Sequence, residues 1–297
     1  MTWPNRVLAA VDFSSPSRTA LAFAARLARQ SGAELHVMHA EHPLLAAAAA
    51  DRGLDLAGGT AAELRSFIET TWPAAECLPQ THVVTGQAGA TIANIAIREN
   101  ADVIVVGARG MTSAQQAFLG STTERVLRRA TRSVFVIPET WTAPTPLASD
   151  LTGSGPVFAA VDFRIPSLEA ANDAAALAAR LGTWLTLVHA VPPVSTLERW
   201  RGHADALLRT RVATARRELD CVARRMQARV ATTAIVETGD VAPCVAGIVH
   251  AHPRAILAVG RSVHRDSHGA PGTNAYRMLT LARIPVLMHV ARSMERD

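Results

Sequence analysis

The apolar run Val103 to Val106 is followed by Gly107-Ala-Arg-Gly110, then nine residues, then Gly120-Ser121 at the start of a helical pattern. A glycine on leaving a strand lets backbone come close to a bound group. A Gly-Ser step opening a helix can aim amide hydrogens and a hydroxyl at a phosphate from the positive helix end. None of this needs lysine. Arg109, between the glycines, carries a fork of donors that suits phosphate, and a solvated surface arginine is the competing reading. Asp12 follows the first apolar run; its carboxylate can accept hydrogen bonds from a base or sugar edge but cannot itself attract phosphate, so it suits the other end of a nucleotide. Each of these residues also has a local reading. Asp12, followed by Phe13-Ser14-Ser15-Pro16, could bond nearby amides or cap a helix, and Ser121-Thr-Thr-Glu124 has the capping-box pattern, in which the serine hydroxyl serves a helix amide. Capping leaves the upstream glycine spacing unexplained.

The elements that must position these residues occur twice. Val7-Leu-Ala-Ala-Val-Asp-Phe13 returns as Val157-Phe-Ala-Ala-Val-Asp-Phe163, an offset of 150 that holds at Gly32 and Gly182 and at His39 and His189, then drifts by two or three residues. Such an offset marks a duplication with small loop insertions. The first copy alternates apolar runs (Arg6 to Val11, Glu34 to His39, Thr81 to Val84, Val103 to Val106, Val134 to Ile137) with helical patterns at Ser17 to Gln30, Thr60 to Thr71, Ala88 to Glu99 and Ser121 to Ala130. Near-continuous apolar runs suit parallel strands covered on both faces, and Gly32 suits a helix stop. The order βαβαβαβαβ predicts an α/β fold with a doubly wound parallel sheet in each copy, ligands binding beyond the carboxyl ends of the strands where strand order reverses. The predicted organisation is a first domain over 1–140, a Pro- and Gly-rich linker over 141–155, and a second domain over 156–297.

Composition narrows the chemistry. The 297 residues include no lysine, so lysine catalysis and lysine phosphate loops are excluded, and 30 arginines supply the formal charge of +5. The second copy carries the whole excess. No recognised nucleic-acid motif accompanies it, and no nucleic-acid partner is expected. The longest weakly polar run, Leu44 to Ala50, is far short of a bilayer span, so a soluble cytoplasmic chain without a membrane partner is expected. Cys77, Cys221 and Cys244 are too scattered for a framework and read as buried small residues in a reducing compartment. From Glu198 to Arg229, nine arginines alternate with Leu207, Leu208, Val212, Ala215, Leu219, Val222 and Met226 at helical spacing, predicting a long amphipathic helix packed on the second sheet.

Taken together, the Gly-x2-Gly-x9-Gly-Ser signature, the Val-Asp-Phe start, the Val84-Thr-Gly86 turn and the run Ala101-Asp-Val-Ile-Val-Val-Gly107-Ala-Arg-Gly110 resemble an ATP-binding universal stress protein, over essentially both halves. The resemblance implies five-stranded sheets of order 3-2-1-4-5 (adenine nucleotide alpha hydrolase-like, Rossmann-like), dimerisation through the last strand, and a stress-linked regulatory role. It also implies ATP or a related adenine nucleotide, with or without Mg2+, held by Ala10, Asp12, Ala40, Val106, Gly107, Gly110, Gly120, Ser121 and Thr122. The two copies would pair through Ser133 to Ile137 and Pro285 to His289, with a homodimer and a protein partner as further expectations.

The second copy departs from the pattern. Val263 stands where the first copy has Gly110, and the stretch to Gly272-Thr273 is one residue shorter. Valine resists positive φ and adds a branched side chain. Asp162, Gly260, Gly272 and Thr273 are therefore expected to form a degenerate site, with Arg261 or Arg265 the alternative anchors for phosphate. His250, His252, His264 and His268 lack a cysteine or acidic cluster at recognised spacing, so no metal site is expected. No catalytic group is evident. The competing functions are a slow ATPase and a nucleotide-free scaffold.

Overall fold

The computed structural model describes residues 4–73, 79–109, 119–142, 155–193, 201–261 and 272–290. Two compact units emerge, one holding 4–142 and the other 155–261 with 272–289. The first unit runs β1 (Arg6–Ala10), α1 (Ser15–Ser31), β2 (Glu34–Glu41), α2 (Pro43–Ala50), α3 (Leu56–Thr71), β3 (Gln80–Thr85), α4 (Ala88–Arg98), β4 (Val103–Gly107), α5 (Ser121–Arg129) and β5 (Ser133–Ile137). Its strands are all parallel in the order β3-β2-β1-β4-β5. Strand order therefore reverses between β1 and β4, where a doubly wound sheet opens a crevice.

Sequence explains most of these elements. Every residue of β4 and β5 is buried, as continuous apolar runs under two helical layers require. Between α1 and the sheet, small side chains allow close packing: Ala20, Leu21, Ala24, Leu27 and Ala28 are buried. α1 stops at Gly32, whose φ of 65° lets its amide reach the carbonyls of Ala28 and Arg29. The run Leu44 to Ala50 forms α2, which the apolar spacing did not predict. Pro43 in its first turn and uninterrupted alanines make a helix without a periodic stripe, and Leu44 and Leu45 remain exposed.

The second unit repeats the plan as β6 (Val157–Ala160), α6 (Ile165–Arg180), β7 (Leu185–Val191), α7 (Arg201–Gln227), β8 (Thr232–Thr238), α8 (Val241–His250), β9 (Ile256–Gly260), α9 (Thr273–Leu281) and β10 (Val286–His289), with parallel order β8-β7-β6-β9-β10. α7 buries its apolar stripe only in its later part: Ala215, Leu219, Val222 and Met226 are covered, whereas Leu207 is exposed. No helix among the described residues is long and apolar enough to cross a membrane.

Candidate functional site

At the mouth of β1 the chain turns through Val11, Asp12, Phe13 and Ser14. The Asp12 carboxylate accepts hydrogen bonds from the Ser14 amide (3.2 Å) and hydroxyl, and the Ser14 hydroxyl accepts from the Ser17 amide (3.3 Å) at the start of α1. One oxygen of Asp12 thus has the local role that the sequence allowed. Phe13 sits at a φ of +63°, strained for a bulky residue. Its ring lies 4.5 Å from that of His39 and meets Phe67 edge-on at 5.6 Å. His39 Nδ1 lies 2.9 Å from the Val11 carbonyl, which can only accept, so the imidazole donates there and fixes the turn. The second unit repeats this device: Phe163 has a φ of +65°, packs on His189 at 4.7 Å, and His189 Nδ1 donates to the Val161 carbonyl at 2.7 Å.

The mouth of β4 gives its glycine a packing role as well. Gly107 was expected to admit a ligand, yet a Cβ there would lie 3.1 Å from the carbonyl oxygens of Pro16 and Arg109. The glycine therefore also eases the close approach of α1. The chain on either side of 110–118 is pinned by backbone bonds from Ala108 to Ile137 and from Gly120 to Ala108, both 2.8 Å, and by the buried Thr123 hydroxyl donating to the Gly107 carbonyl at 2.7 Å. Gly110 lies outside the described residues.

The capping box is not formed. Gly120 is the N-cap of α5, with extended backbone and no side-chain cap, so Ser121 lies inside the first turn and is exposed. A glycine cap offers the first amides no acceptor from its own side chain. Arg109 Nη1 lies 3.8 Å from Glu139 Oε2, a partly exposed ion pair.

These two mouths share a cavity of about 250 Å³. Nine of the ten predicted residues line it: Ala10, Asp12, Ala40, Val106, Gly107, Arg109, Gly120, Ser121 and Thr122. The sequence reading missed Val11, Ser17, Met38, His39, Ala88, Ile92 and Thr123, which also line it. Met38 and Ile92 carry no signal that separates a cavity wall from ordinary core, whereas the recurrence of His39 at a strand end was visible but read as a mark of duplication.

In the second unit Asp162 is exposed and accepts the Arg164 amide at 3.0 Å. A Cβ on Gly260 would come within 2.4–2.6 Å of Pro166 and Ser167 backbone atoms. Gly272 caps α9 as Gly120 caps α5, and Thr273 is exposed in the first turn. Burial holds the Arg261 guanidinium below its ordinary pKa. Val263, His264, Arg265 and His268 lie outside the described residues, as does Cys77. His250 bonds the Leu281 carbonyl at 2.8 Å and His252 packs on Phe158. Cys221 is exposed on α7, contrary to the expectation of burial, because it falls beside the helix's apolar stripe. Cys244 is half-buried, and burial raises its thiol pKa.

Parallel sheets of order 3-2-1-4-5, with polar groups gathered beyond the strand ends where the order reverses, define a Rossmann-like α/β protein. The model of the universal stress protein family matches residues 4–138. A Thermus aquaticus protein described as "Universal stress protein in QAH/OAS sulfhydrylase 3'region" is 31% identical over 138 residues, covering 44% of this chain and 96% of that protein. The chain belongs to the universal stress protein family. Among solved structures, a universal stress protein from Archaeoglobus fulgidus DSM 4304 superposes with a TM-score of 0.63 at 16% identity, over 97% of this chain and 98% of that one. A putative universal stress protein from Pseudomonas aeruginosa UCBPP-PA14 gives 0.62 at 16% identity, over 96% and 92%. At that identity these two show the fold.

Proposed function

We propose that the first unit binds ATP or a related adenine nucleotide in the cavity between β1 and β4, and that the chain is a cytoplasmic, stress-linked regulatory protein whose occupancy alters partner binding. The observation that carries this reading is the convergence of residues from both mouths on one cavity. Ser121, Thr122 and Arg109 offer hydroxyls, first-turn amides and a guanidinium for phosphate, while Asp12 offers an acceptor for the base or sugar. The second unit is proposed not to bind, on the strength of Val263 in the place of Gly110 and the shorter stretch to Gly272.

Calorimetric titration of ATP into the full chain tests both statements. One site is expected. Ser121→Asp should weaken ATP at least tenfold while sparing adenosine, because a carboxylate in the first turn favours the helix but repels phosphate. Absence of binding at millimolar ATP overturns the function, and two equal sites overturn the asymmetry.

A further inference from the structure

Apart from the cavity, one cluster in the first unit stands unexplained by the nucleotide reading. His36, near the start of β2, is 2% exposed, and His82 on β3 is largely buried. His36 Nδ1 and His82 Nε2 lie 3.0 Å apart. The outer nitrogens face carboxylates, His36 Nε2 at 3.8 Å from Glu34 and His82 Nδ1 at 3.9 Å from Glu99. With one donor atom each, His36, His82 and Glu99 fall within 4.8 Å of one another.

Two neutral imidazoles can share only one proton across a 3.0 Å gap, and the ring that donates keeps a bare lone pair on its outer nitrogen. His36 Nε2 is buried and has no hydrogen-bond partner among the described residues. Glu34, 3.8 Å away, is the acceptor toward which a proton on that atom would point, which leaves Nδ1 as the nitrogen free to ligate. The geometry points to a divalent transition-metal site of the zinc class, with nitrogens from His36 and His82 and a carboxylate oxygen from Glu99 as donors. Two nitrogens on a tetrahedral zinc at 2.0–2.1 Å sit about 3.3 Å apart, so the facing nitrogens need to open by only a few tenths of an ångström, whereas Glu99, which lies 3.9 Å from the other nitrogen of His82, must swing toward the ion. With Nδ1 of His36 turned to the ion, its proton moves to Nε2 and points at Glu34, the carboxylate–histidine–metal arrangement that fixes ring orientation.

Burial lowers the pKa of both histidines, His82 and then Arg6 lower that of His36 further, and Glu99 opposes the shift in both; the net direction favours the neutral ring that ligates metal. Arg98 bonds Glu99 Oε1 at 2.7 Å and Arg6 bonds Glu34, which hold the two carboxylates ionised. Sequence spacing could not flag this set, because 46 residues separate the histidines and only the β2–β3 pairing joins them.

The test is zinc titration of the chelator-treated full chain by calorimetry, with cobalt absorption as a second readout, for the wild type, His82→Gln and Glu99→Gln. Circular dichroism checks that each variant is folded; Glu99, at the end of α4, can be changed without touching the core. One zinc per chain is expected, with affinity at least tenfold weaker in both variants and the cobalt spectrum lost or shifted in His82→Gln. The proposal is overturned if the wild type binds no stoichiometric zinc, or if both variants bind zinc and cobalt as the wild type does.

Discussion

Gly107 and Gly260 occupy equivalent strand ends, and replacing each with alanine separates a steric reason for glycine from a ligand-binding one. Neither has φ in the left-handed range, so the added methyl group decides the outcome through contact alone. In Gly107→Ala the nearest atoms are 3.1–3.2 Å away, a few tenths of an ångström short of comfortable contact. Overpacking at the low end, about 1 kcal/mol, is set against about 0.4–1 kcal/mol gained by restricting the unfolded chain, leaving a net loss of roughly 0.5 kcal/mol or less. In Gly260→Ala the methyl group would sit 2.4–2.6 Å from Pro166 and Ser167 backbone atoms, which cannot rotate away as a side chain can. The start of α6 must shift by about an ångström, at a cost of about 3 kcal/mol. At about 2–4 °C per kcal/mol, scanning calorimetry should show a drop below about 2 °C for Gly107→Ala and about 6–12 °C for Gly260→Ala. Equal drops, or a Gly260→Ala protein within 1 °C of wild type, would refute the reasoning. If Gly107 also serves the ligand, Gly107→Ala will lose ATP affinity out of proportion to its small stability change.

Two further outcomes follow from single contacts. Thr123→Val removes the 2.7 Å bond to the buried Gly107 carbonyl and should cost about 1–2 kcal/mol in urea denaturation, while Thr123→Ser should stay nearer the wild type. At the end of β10, burial disfavours charge on His289, but Asp173 (2.7 Å) and Glu169 (3.2 Å) more than offset it, and the net shift raises its pKa. The folded state then holds this proton to higher pH than the unfolded chain does. The contribution is complete below the unfolded value of about 6.5 and is lost as pH rises through the folded value. Unfolding temperature should fall from pH 6.5 upward, and His289→Gln should flatten that fall; an unchanged slope in the variant would sink the assignment.

What the sequence made legible was what local pattern encodes. Period and length placed the parallel strands, and the duplication predicted the second sheet because its Val-Asp-Phe start and Gly32-like stop are local marks. α2 escaped because an alanine run has no amphipathic period, although its propensity for helix is high. The His36–His82–Glu99 cluster escaped for the opposite reason: it exists only through pairing between β2 and β3 and the return of α4. Glycine was the residue type whose packing role the sequence left unseen. At Gly107 the signature pointed to a ligand, whereas the structure puts the Pro16 carbonyl in the space a side chain would need, and the same demand is sharper at Gly260. A packing demand on the strand-end glycine is therefore present in both units, mild at Gly107 and severe at Gly260. These glycines cannot by themselves distinguish a binding copy from a non-binding one. On the proposed reading the distinction falls on Arg109 beside the cavity and, in the sequence, on the exchange of Gly110 for Val263, since an uncapped first turn is common to both units. If nucleotide affinity follows those residues and not Gly260, the two copies share a scaffold whose glycines were fixed by the fold, and the difference in binding arose in the loop.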